Sequence, residues 1–88
     1  MDKEKILLDL KSIFKKVFNR NIKISEKTSS NEIPEWDSLA SVKIFVEIEK
    51  KFKIKLSGSE INEASKIKDL LNLISKKKKM RIKNYILN

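Results

Sequence analysis

Apolar residues return at intervals of three and four in three separate blocks, and only one Gly and one Pro interrupt the 88-residue chain. That periodicity is the signature of helices that each bury one stripe. With so few breakers it confines the chain to a helical bundle. The first block is Ile6, Leu7, Leu10, Ile13, Phe14, Val17 and Phe18, which predicts a helix over about residues 3–18, with Asp2 as its N-cap and Glu4 at the positive end of its dipole. The second runs through Leu39, Val42, Ile44, Phe45, Val46, Ile48 and Phe52. Its stripe is broad, so this helix is expected to be the most buried, with Leu39, Val42, Phe45, Val46 and Ile48 as core candidates. The third is Ile67, Leu70, Leu71 and Ile74, with Ser65 as the expected N-cap.

Between the first two blocks, residues 19–36 have no helical period and are rich in Asn, Ser and Thr, with the single Pro at position 34. A loop of this length is unusual in a compact domain. Ile22, Ile24, Ile33 and Trp36 are expected to pin it to the core. Such loops often border functional sites. Ile54 and Leu56 form a short extended link, and Ser57-Gly58-Ser59 a turn that leads into one helical turn near residues 60–64. The expected fold class is therefore all-α: a small four-helix bundle, three long helices plus one short, over residues 1–75.

The formal net charge is +9, but residues 76–88 carry six bases and no acid, so two thirds of the excess lies in a basic C-terminal tail. The favoured reading of that tail is a solvated or helix-extending end. Contact of its lysines and of Tyr85, Ile86 and Leu87 with an anionic membrane is the weaker alternative. A basic nucleic-acid-binding domain is the rival reading of the charge, but no recognised binding motif appears and the body is only mildly basic. No nucleic-acid partner is expected.

There is no Cys and no His. Disulfides are excluded, the usual metal ligands are missing, and the two commonest side chains for nucleophilic and acid–base work near neutral pH are absent. The expectation is a non-enzyme without a metal, and any reactive thiol must come from an added cofactor. No apolar run approaches the roughly 20 residues of a membrane span, and residues 1–5 lead into no signal-peptide block, so a soluble cytoplasmic monomer is expected.

Where the long loop meets the second helix stands Trp36-Asp37-Ser38-Leu39. Asp37 suits an N-cap. A serine just inside a helix start has its hydroxyl near free backbone N–H groups and the positive dipole end, which favour a phosphate. Asp37-Ser38-Leu39 resembles the Asp-Ser-Leu signature of acyl carrier proteins. The resemblance continues through the apolar positions Val42, Ile44, Phe45, Val46, Ile48, Phe52, Ile54, Ile67, Leu70 and Ile74, covering residues 3–75. It implies that Ser38 receives 4'-phosphopantetheine from coenzyme A through a phosphopantetheinyl transferase, with Asp37 and Leu39 beside it. Acyl-loading and acyl-transferring enzymes then use the thioester-bound cargo, in fatty-acid-like or specialised biosynthesis. An aminoacyl or peptidyl carrier is the alternative within the same fold.

The resemblance also implies that the second helix meets the partners, here through Lys43, Glu47 and Lys50. Carriers of general fatty-acid synthesis are acidic on this helix. Here Asp37, Glu47 and Glu49 balance Lys43, Lys50 and Lys51, so a dedicated partner set is expected.

Overall fold

A computed structural model describes residues 3–87, with side chains described for residues 3–78. Four α-helices follow one another: α1 (Lys3–Phe18), α2 (Ser38–Phe52), α3 (Gly58–Glu63) and α4 (Ile67–Leu87). The architecture is the expected all-α bundle of three long helices and one short one. The expected cap Asp2 and the side chains of Lys79, Arg81, Lys83, Tyr85, Ile86 and Leu87 lie outside the described residues.

Helix ends follow local chemistry. Asn19 and Lys53 take left-handed backbone conformations, φ 55° and 56°, directly after α1 and α2, the usual way to turn a chain out of a helix. Ser57 caps α3 by accepting from Glu60 N at 3.2 Å, and the Glu60 carboxylate returns the contact to Ser57 N at 2.8 Å, a reciprocal capping box. The start of α4 differs from expectation. Asp69 accepts from Ser65 N at 3.3 Å and from Lys66 N at 3.2 Å, so a carboxylate inside the first turn, and not a Ser65 hydroxyl, secures the backbone that leads into the helix. The Ser65 carbonyl instead accepts from Ser30 N at 2.8 Å.

The core is a single cluster. α1 contributes Ile6, Leu10, Ile13 and Phe14; α2 contributes Ala40, Ile44, Phe45, Ile48 and Phe52; α4 contributes Ile67, Leu70, Leu71 and Ile74. Three expected core residues are corrected by the packing. Leu39, Val42 and Val46 are 64%, 53% and 42% exposed. On a helix of 3.6 residues per turn they form one stripe opposite the buried one. α2 is therefore apolar on two faces, and only one of them meets α1 and α4.

The long loop is anchored as expected by Ile24, Ile33 and Trp36, all buried, with Ile22 half-buried against the cluster. Its backbone is anchored too. Ser30 N reaches Ser65 O, and Ile67 N reaches Thr28 O at 2.9 Å, around an isolated bridge between Ser29 and Lys66. These bonds, with a single 3-10 turn at Ser30–Glu32, account for backbone groups that an unstructured loop would leave unpaired near the core.

No helix break separates residue 75 from residue 76: α4 continues to Leu87. Lysine is a good helix former, so the run propagates the helix. Its first members also touch the body. Lys77 Nζ lies 3.0 Å from Glu60 Oε1, and Lys78 Nζ donates to Phe52 O at 3.3 Å, covering one of the free carbonyls at the end of α2. Among the described residues no helix is long and apolar enough to cross a membrane.

Candidate functional site

The entrance to α2 is held from below and left open above. Trp36 is buried and meets Phe14 edge-on, with ring centroids 5.1 Å apart. Its indole Nε1 donates to Ser41 Oγ at 2.8 Å. The end of the loop is thereby tied both to α1 and to the first turn of α2. The indole is thus part of the packed base of the site. Alongside it, Arg20 grips Glu35 through two contacts, one of them Nη2 to Oε1 at 2.9 Å. Hydrogen bonding to that guanidinium holds the Glu35 carboxyl down at about 2.

Asp37 has extended backbone, and its Oδ1 accepts from Ala40 N at 2.8 Å. It is the cap that its position suggested. Ser38 is the first residue of α2. Its side chain is exposed and makes no hydrogen bond among the described residues. The contrast with Ser41 is chemical. Ser41 is half-buried and its hydroxyl is already engaged by Trp36, whereas the Ser38 hydroxyl is free at a helix N-terminus. A phosphodiester on Ser38 fits there: the site needs an accessible oxygen, room on the solvent side, and a positive dipole end for the phosphate charge.

If Asp37 acts as the cap, Asp37→Ala should lower stability by about 1 kcal/mol. A denaturant titration should show a lower midpoint with an unchanged slope. A midpoint equal to that of wild type would mean that the start of α2 is secured without the carboxylate.

Beyond Ser38, α2 turns Leu39, Val42 and Val46 to solvent, with Lys43 and Lys50 exposed on the same face. Glu47 is placed differently from its two lysine companions. Both its oxygens accept from Lys16 Nζ on α1, at 2.9 and 3.1 Å, and this contact holds its carboxyl below the usual range. Only 18% of its side chain is exposed. Lys16 and Arg20 meet their partners across 31 and 15 residues of chain, and no local spacing in the sequence signals such pairs.

Comparison with known proteins identifies the family. Residues 9–74 match the family described as the phosphopantetheine attachment site. No functionally curated protein matches the chain. Among solved structures, a holo acyl carrier protein from Geobacter metallireducens superposes with a TM-score of 0.79 at 33% identity, covering 88% of this chain and 90% of that one. An acyl carrier protein from Thermotoga maritima superposes with a TM-score of 0.77 at 22% identity, covering 88% and 91%; that likeness bears on the fold alone. With the family match spanning most of the chain, the protein belongs to the acyl carrier protein family, as a non-catalytic carrier with covalently attached 4'-phosphopantetheine.

Proposed function

We propose that Ser38 is the attachment point of the phosphopantetheine arm and that this carrier serves a dedicated set of acyl-handling enzymes. The observation that carries the assignment is the free, exposed Ser38 hydroxyl at the capped start of α2, beside a Ser41 whose hydroxyl is taken by Trp36. The arm supplies the thiol on which cargo is carried as a thioester, which suits a chain with no Cys. Ser38 Oγ forms the new bond to the pantetheine-side phosphorus of coenzyme A, the pyrophosphate P–O bond breaks so that adenosine 3',5'-bisphosphate leaves, and the proton Ser38 gives up goes to a base of the transferase. Asp37, committed to Ala40 N through Oδ1, fixes the helix start that carries Ser38 and keeps its other carboxylate oxygen available to that enzyme.

Acyl cargo is supported over aminoacyl cargo by the 33% identity to a protein solved as a holo acyl carrier protein. The exposed Leu39, Val42 and Val46 beside Ser38 support docking of partner enzymes on this face of α2, with Lys43 and Lys50 in the contact and Glu47 at its edge. Exposed apolar residues grouped in this way mark interaction surfaces.

The test is intact mass. Incubation of the whole chain with coenzyme A and a broad-specificity phosphopantetheinyl transferase should add one phosphopantetheine. An unchanged mass under conditions that load another carrier would refute the proposal.

A further inference from the structure

α2 together with its cap Asp37 has three acids and three bases, but the three-dimensional structure does not display them equally. At 3.6 residues per turn, Leu39, Val42, Lys43, Val46 and Lys50 form one stripe along the outer face of α2. Glu47 and Glu49 flank it, one on each side. Each is drawn off by a contact within the chain. Glu47 takes both its oxygens to Lys16. Glu49 Oε2 accepts from Leu56 N at 2.9 Å in a part-buried contact. Asp37 is held at the helix start by Ala40 N. Lys43 and Lys50 are exposed, and neither makes a hydrogen bond or ion pair among the described residues. Lys50 reaches Glu47 only through its field. What an approaching protein meets is an apolar strip edged by lysine charge.

We propose that the partner enzymes of this carrier present an acidic rim around an apolar contact, matched to Lys43 and Lys50 beside Leu39, Val42 and Val46. This rests on the assignment of the arm to Ser38, because docking on α2 matters only if the cargo starts from its N-terminus. Complementary charge speeds encounter and like charge blocks wrong partners. The polarity of the stripe therefore selects which enzymes can collect the cargo. Pairing of Glu47 with Lys16 and attachment of Glu49 to the Leu56 amide hold both acids at the flanks of the stripe, which makes that polarity a property of the fold, since α2 with its cap Asp37 carries three acids and three bases.

The experiment uses the full chain, loaded by the transferase and verified by mass. Its probes are a ketosynthase with a basic docking surface and the same ketosynthase with those bases changed to Glu. Association rates are measured at low and at physiological ionic strength. The loaded wild type should associate about tenfold or more faster with the acidic form than with the basic form at low salt, and added salt should narrow the gap. Lys43→Glu with Lys50→Glu should reverse the order. A control pair, Lys5→Glu with Lys68→Glu, changes the net charge equally on exposed positions of α1 and α4 and should leave the order as in wild type.

Equal rates with both forms, faster association with the basic form, or no measurable association with either would overturn the inference. So would an equal effect of the control pair, which would show that overall charge, and not the α2 stripe, sets the preference. Loading that fails altogether overturns the Ser38 assignment and this inference with it. Loading that succeeds without a charge preference overturns this inference alone.

Discussion

Ser38→Ala, incubated with coenzyme A and a broad-specificity phosphopantetheinyl transferase, should keep its starting mass while the wild type gains one phosphopantetheine. The loss should be complete, because it removes the oxygen that forms the bond to phosphorus. The fold should survive. Ser38 makes no side-chain hydrogen bond among the described residues, and the start of α2 is capped by Asp37. Alanine is the best helix former, so the far-UV circular dichroism of the variant should match wild type. Ser41→Ala is the informative companion. It removes a half-buried hydroxyl that accepts from Trp36 Nε1, so it should cost some stability and still load at Ser38. Modification that persists in Ser38→Ala and disappears in Ser41→Ala would move the attachment point by one helical turn and refute the reading of the site.

Phe45→Ala and Phe52→Ala should each destabilise the protein by about 3–5 kcal/mol. Both rings are only 2% exposed, and both lie in the single core cluster shared by α1, α2 and α4. A domain of this size has a total stability of only about 5–15 kcal/mol, so either variant should melt far below wild type or fail to fold at ambient temperature. Val46→Ala is the control. Val46 follows Phe45 directly in the chain but is 42% exposed on the opposite face, and such surface changes usually stay within about 0.5 kcal/mol. Thermal or denaturant unfolding of the three variants reads the facing of α2 directly. A Val46 variant as damaging as the Phe45 variant, or two phenylalanine variants with little effect, would show that α2 is rotated from the position described.

Much of this was legible in the chain because it is local. Helical period, the Asp37 cap three residues before Ala40, and the punctuation at Ser57-Gly58 are all settled within a turn or two of backbone. So are the existence and order of the helices, and the place of Ser38 at the start of the second one. The phosphopantetheine carrier reading could be made from that register and the Asp37-Ser38-Leu39 signature before any contact was known.

Contacts between distant parts of the chain decided the rest. α2 is apolar at Leu39, Val42 and Val46 as well as at Ile44, Phe45, Ile48 and Phe52, so periodicity alone admits more than one inward face. The choice was made by where α1 and α4 lie. With Ile44, Phe45, Ile48 and Phe52 turned inward, the other stripe is left facing water next to Ser38. The charge of that stripe was equally out of reach. Lys16 meets Glu47 across 31 residues and the Leu56 amide meets Glu49 across 7, and these contacts hold at the flanks of the stripe acids that a count along the helix treats as equal to the lysines. The long loop follows the same logic. Its apolar anchors were visible, but the backbone bonds from Ser30 and Thr28 to the start of α4 depend on two segments more than 30 residues apart coming together. A helix start or a cap is set by neighbours in sequence. A face, a free charge or a paired loop is set by neighbours in space, and those exist only once the chain has packed.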